Sequence, residues 1–354
     1  MARPGTFVLL ISLIAAPSAA SAQQDSLPEE WPDPKPGCGA ALNIGAGCSG
    51  LSIGNSHRWN GLRINFMDRH AELINGLNVT FWRSNRNRWA TVNGLSVGIS
   101  PQAGWLHGVQ LGVLAVVADT SMVGLSAGVL AAVSGGSMAG ISVGGLAAVS
   151  GGSMEGFNVG GLAAVAGSSM GGVNVGGLAA VAGADLMGLN VGGLAAIGGA
   201  NLQGISAAGL AAIAGDDATG FNVAGLVVVG GDDLTGFNVA GLSVVGGNVM
   251  RGFNVAGLSA AGGFEIQGVA AAFAHVSAGH SIEGFTASLW NRTDDLTGVA
   301  IGYANTFERT QRGLSIGLVN YAVELQGVQL GLLNIAENNK GIFRVLPLVN
   351  AHFD

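Results

Sequence analysis

The sequence predicts an all-β protein: tandem strand–turn repeats of 14–16 residues wound into a β-solenoid, with a closed antiparallel outer-membrane β-barrel as the competing architecture. Three observations lead there. Near-identical blocks follow one another, as in "GFNVAGLVVVGGDDLT" at 220–235 and "GFNVAGLSVVGGNVMR" at 236–251. Within each block apolar and polar residues alternate with period two, the signature of a strand rather than a helix. The composition is also unusual: 62 of 354 residues are Gly and 10% are charged, with 49% hydrophobic. An average soluble domain is about a quarter charged and roughly 7% Gly. Such glycine content at a fixed period and high hydrophobicity indicates ordered repetition rather than disorder.

Taken in chain order, residues 1–22 read as a secretory signal peptide. Arg3 supplies the basic start, Phe7 to Ala16 the apolar stretch, and Ala20-Ser21-Ala22 the small-residue cleavage site. Residues 23–49 form a linker carrying Cys38 and Cys48. An exported chain meets an oxidising compartment, so this close pair predicts a local disulfide just ahead of the repeats. Residues 50–107 are irregular repeats rich in Arg and Trp. From Gly108 to residue 297 the units are regular, with glycines spaced sixteen apart (Gly140, Gly156 and on to Gly284). From 298 to 354 the spacing shortens to 14 or 15 residues, ahead of a closing segment.

The alternation assigns positions. After each repeat glycine comes a large apolar residue (Ile141, Phe157, Phe221, Phe237), then Ser or Asn, then usually Val. In a solenoid this predicts a Phe/Val/Leu ladder inside and an Asn/Ser ladder outside, with Val239 buried. In the late units the apolar positions change phase, Leu314 and Ile316 on one parity and Val319 and Tyr321 on the other. A flat strand cannot change faces, so a corner is expected at the glycine between them. Alternate turns of a barrel face opposite sides of a membrane, and no two-unit super-period is visible in the turns. That favours the solenoid, whereas the apolarity and the final "LVNAHF" suit a barrel's closing strand.

The late units "GLSIGLVNYAVELQ" and "GVQLGLLNIAENNK", the end "RVLPLVNAHFD" and the early "NGLRINFMDRHAELINGLNVTFW" resemble bacterial, leptospiral-type Gly-rich surface-repeat proteins of the cell envelope. The resemblance covers nearly the whole chain after the signal peptide. It implies export, a place in the outer membrane or at the cell surface of a diderm bacterium, and no assigned activity. The central Ala- and Val-rich block departs from the "GLxNxA" form.

Candidate sites are few. Asp216-Asp217 and Asp232-Asp233 lie sixteen residues apart in successive turns, so stacked coils would gather four carboxylates, an oxygen set suited to Ca²⁺. The calcium-binding G-G-x-G-x-D repeat is not matched, which favours solvated turn carboxylates. Trp59, Arg63, Trp82, Arg83, Arg86, Arg88 and Trp89 form a candidate surface for lipopolysaccharide or another surface glycan, through Arg charge and aromatic stacking. The competing expectation for this segment is a cap on the array. The six His are scattered, no Ser sits in a nucleophile-elbow context, and the G-x-x-x-G spacings belong to the repeat. The sequence therefore predicts no catalytic residues and no cofactor. A net charge of −7 without a Lys/Arg-rich run speaks against nucleic-acid binding. The expected role is structural or adhesive, the alternative being a barrel acting as a pore.

Overall fold

Each regular unit folds as one coil. In the coil starting at Gly236, the strand Leu234–Ala240 leads through a bend at Gly241-Leu242 into the short strand Ser243–Gly246, and a turn at Gly247-Asn248 starts the next coil. This computed structural model describes residues 37–84 and 87–353; the predicted signal peptide, the first part of the linker, and Arg86 lie outside the described residues. Successive coils pair in parallel and in register at the sixteen-residue period: Asn222 lies beside Asn238, and Asn238 beside Asn254. The result is a parallel β-solenoid of about 17 turns, not a barrel. The pore reading falls with the barrel, because the coil interior is filled by side chains.

Both ends close with antiparallel strands. At the start, Gly39–Ala46 pairs antiparallel with Ser49–Ser56, and a disulfide joins Cys38, just before the first strand, to Cys48 in the turn, with Cα atoms 5.3 Å apart. Closing so small a loop contributes about 3 kcal/mol by chain entropy. At the other end Val345–His352 runs antiparallel to Val319–Ala336. Terminal strands of this kind shield the stack from open-ended pairing.

The interior inverts the expected polarity. Leu234, Asn238, Ala240 and Val244 are buried, whereas Phe237 and Leu242 are 36% and 42% exposed and Val239 is only half-buried. The expected inner Phe/Val/Leu ladder is therefore outside and the Asn/Ser ladder inside. Volume and hydrogen bonding explain the inversion. The two strands of a coil enclose an interior already occupied by Ala240, Val244 and a row of larger side chains such as Met170, Leu186 and Leu234, which leaves no space for a further row of Phe. Asn can enter because stacking satisfies it: Nδ2 of Asn222 donates to Oδ1 of Asn238, and Nδ2 of Asn238 to Oδ1 of Asn254, each at 2.9 Å. A buried amide costs little once it is hydrogen-bonded. The same row runs back through Asn158, Ser142, Ser126, Gln110, Ser96, Asn78 and Arg63 to Ser52, all buried.

Gly236 shows why the repeat glycine does not vary. It sits within a strand at φ +117°, and a Cβ there would lie 2.2 Å from the carbonyl oxygen of Gly220 in the coil before. Only glycine takes this conformation and this approach without strain.

The late "GLxN" form has its own logic. Asn291, Asn305, Asn320 and Asn334 make a second buried ladder, aligned with the row that holds Val244, Ala260 and Val276 in earlier coils. Nδ2 of Asn305 donates to Oδ1 of Asn320 at 2.7 Å and to the carbonyl of Ile316 at 3.0 Å. The chain bends at Gly317-Leu318, which accounts for the phase change between Ile316 and Val319. A Cβ on Gly317 would stand 2.7 Å from that Asn305 amide, so the motif's glycine makes room for the asparagine of the preceding coil.

Candidate binding surfaces

The Arg/Trp-rich segment divides into buried and exposed members. Trp59 is 1% exposed and donates from Nε1 to the carbonyl of Gly50 at 3.1 Å. Arg63 is fully buried in the polar row, where it ion-pairs with Asp68 and donates to Asn78 Oδ1 at 2.8 Å and to Ser56 Oγ at 3.1 Å. Thr80, Asn78 and Ser84 also donate to Asp68. Desolvation alone would raise the Asp68 carboxyl, but the charge and hydrogen bonds of Arg63 outweigh it and hold the group below its ordinary range. Trp59 and Arg63 are thus interior residues, a correction to their expected place on a binding surface: Arg63 occupies the inward position of its strand, in the Asn row. Trp82, Arg83 and Arg88 are exposed, with Trp82 stacked on Phe66 at 6.3 Å, and Trp89 is half-buried.

Stacked coils do bring the acidic turns together, but the carboxylates have other duties. Asp217 Oδ1 accepts from the N–H of Asp233 at 3.1 Å. Asp233 accepts from the Val249 N–H, from Asn248 Nδ2, and from Arg251 Nη1 at 2.8 Å. Desolvation would raise Asp233, yet these hydrogen bonds, that of Arg251 first, bring it below its ordinary range. Among the described residues no group of three or more His, Cys, Asp or Glu is arranged to hold a metal ion. The turns act as a side-chain ladder that ties coil to coil.

The histidines fall into separate settings. His57 and His107 hydrogen-bond to the His70 carbonyl and to Asn93, whereas His280 stacks on Phe264 at 4.8 Å. His275 lies edge-on to Trp290, and burial, aided by the charge of Arg292, holds its pKa below the usual value. His280 borders an open groove of about 600 Å³ lined also by Glu283, Asp295, Glu308, Arg309 and Arg312. Two of the carboxylates there are ion-paired, Asp295 with Arg309 and Glu308 with Arg292. Asn291, the acceptor of the "NRT" sequon, is buried in the late ladder and closed to modification.

A row of stacked rings on the surface is one the alternation assigned to the core. Phe221, Phe237 and Phe253 stack outside, with ring centroids 4.8 and 4.9 Å apart and planes within 6° of parallel. Beside them a corner row of leucines, such as Leu162, Leu194 and Leu226, stands 40–48% exposed. Variation in size was the sequence signal for this placement. The position after the repeat glycine accepts Ile141, Phe157, Val173 and Leu189, whereas the residue three places later is Gly or Ala in every unit from Gly112 to Ala272. A closed interior tolerates little change in volume, and an open surface tolerates much. Comparison with protein families, curated proteins and solved structures finds no match to this chain.

Proposed function

We propose that the chain is an exported, non-catalytic repeat protein of the diderm cell envelope, with a structural or binding role. The observation that carries this reading is the use of polar side chains. Asn, Ser and Gln are spent on ladders along the axis, and the turn carboxylates on bonds between coils, while the outward positions that follow each repeat glycine present a largely apolar surface. A body built this way suits extended contact rather than chemistry at one point. Export is supported by the leader-like first 22 residues, by the Cys38–Cys48 disulfide, which suits an oxidising compartment, and by the resemblance to envelope surface-repeat proteins. Trp82, Arg83 and Arg88 are the exposed residues through which an anionic glycan or lipopolysaccharide would be held near the N-terminal end.

Cell fractionation tests the reading. The expected result is a chain in the envelope fraction whose first residue is Gln23 and whose two cysteines resist alkylation. A cytoplasmic chain that retains Met1 to Ala22 and has free thiols would refute it.

A further inference from the structure

The charges of the regular block are confined to one strip. Every charged residue between 122 and 274 occupies one of the four positions preceding a repeat glycine, as Glu155, Asp216, Asp233 and Arg251 do. The ten positions after each glycine carry none. Six of these ten face outward or form the bend. The strand after the glycine presents residues such as Phe221 and Val223, the bend presents Leu226, and the short second strand presents Val227 and Val229. The bend position is Leu in every coil from Leu130 to Leu258, each at least 40% exposed. At about 4.8 Å per coil this ridge is roughly 38 Å long. Monomeric soluble proteins rarely expose contiguous apolar patches larger than a few hundred Å².

The backbone beneath this surface makes no demand on water. Both strands of each coil bond to the coils on either side, and antiparallel strands close the two ends. Such a sheet can lie against hydrocarbon without orphaned N–H or C=O groups. The shape of the surface then selects the occupant. A second copy or any other flat sheet packs face to face and covers one flank. Here the apolar surface turns a corner, with Phe and Val on one flank, mainly Ala and Val on the other (Ser243 and Ser259 in two coils), and leucines along the edge. A fluid apolar phase covers both flanks at once.

We propose that this Leu-edged surface is a membrane-binding keel: the solenoid lies along a phospholipid bilayer with the ridge sunk among the acyl chains and the charged strip in water. The inference deepens the envelope reading and rests on it for its setting. Binding is by apolar burial, so it needs no anionic lipid and persists in high salt, as the chain's net negative charge also requires.

The test places an environment-sensitive fluorophore on the full chain at Leu210→Cys on the ridge, Val229→Cys on the second flank, or Thr219→Cys on the charged strip. Vesicles of phosphatidylcholine alone are then added. The expected result is at least a threefold rise in emission at 210 and 229, quenched by nitroxide on the lipid tails, with no change at 219. The triple variant Leu194→Ser/Leu210→Ser/Leu226→Ser, labelled at 229, should lower the vesicle partition coefficient at least tenfold while keeping its β circular dichroism. Three results would overturn the proposal. These are no response at any position, a response at 210 with 229 left in water, or labels already shielded without lipid in a chain that light scattering shows to be a dimer. The third would assign the surface to a second copy. A chain that fractionates with the envelope but gives any of these refutes the keel alone. Vesicle binding by a chain confined to the cytoplasm would refute the envelope reading alone.

Discussion

Replacing Asn238 with Ala probes the inverted interior directly. Asn238 is fully buried, accepts from Asn222 Nδ2 and donates to Asn254 Oδ1, both at 2.9 Å. Oδ1 of Asn222 and Nδ2 of Asn254 already lack partners, so the substitution leaves both neighbouring side chains with no hydrogen bond. Each newly orphaned buried group costs about 1–3 kcal/mol, which places the loss at about 2–6 kcal/mol. Urea unfolding followed by circular dichroism measures it, and hydrogen exchange at 218–256 locates it. The double variant Asn222→Ala/Asn238→Ala should fall short of the sum of the single changes, because the two residues share a bond. A loss below about 0.5 kcal/mol would refute the argument, since the Asn row would then carry no stability.

Other outcomes follow from the same structure. Gly236→Ala should destabilise by at least about 2 kcal/mol in the same assay, because it combines a left-handed φ with a Cβ 2.2 Å from the Gly220 carbonyl; an unchanged midpoint would show that the coils can separate. Asp68→Asn leaves the buried Arg63 cation uncompensated and should cost about 3–5 kcal/mol. The Asp68 carboxyl lies below its ordinary value when folded, so its stabilisation is full above the unfolded value of about 4 and is lost as pH falls through the folded value. Hydrogen exchange should therefore show the coils at 58–80 opening first in acid, and exchange that begins elsewhere would contradict this. Deleting residues 236–251 should give a folded chain one coil shorter, because the Gly220 coil then meets the Gly252 coil in register and Asn222 can donate to Asn254. Loss of β circular dichroism would argue against independent coils.

Much of the fold was legible because repetition is a one-dimensional property. The sixteen-residue spacing, the strand at each "FNV", the bend at the glycine before Leu318 and the Cys38–Cys48 bridge each follow from local residues. The candidate sites were less legible. Arg63 and Trp59 look like surface residues in a polar segment, and their burial depends on Asp68, Thr80 and the Gly50 carbonyl, which only the coiling brings near. The two aspartate pairs do stack, but Arg251, eighteen residues after Asp233, takes part of their charge.

The sequence alone determined the period and the alternation, which like residues at a constant spacing display directly, whereas parallel stacking rather than an antiparallel barrel is decided by the pairing of the coils. Only the tertiary structure decided which parity faces inward. Alternation states that two sides differ and leaves open which of them is enclosed. The choice rests on the interior between the two strands of a coil, which is filled by Ala, Val and a row of Met, Leu and Ile and admits a hydrogen-bonded Asn row but no further row of Phe. That filling leaves the Phe side chains and the bend leucines on the outer surface, from which the proposed attachment to a bilayer follows.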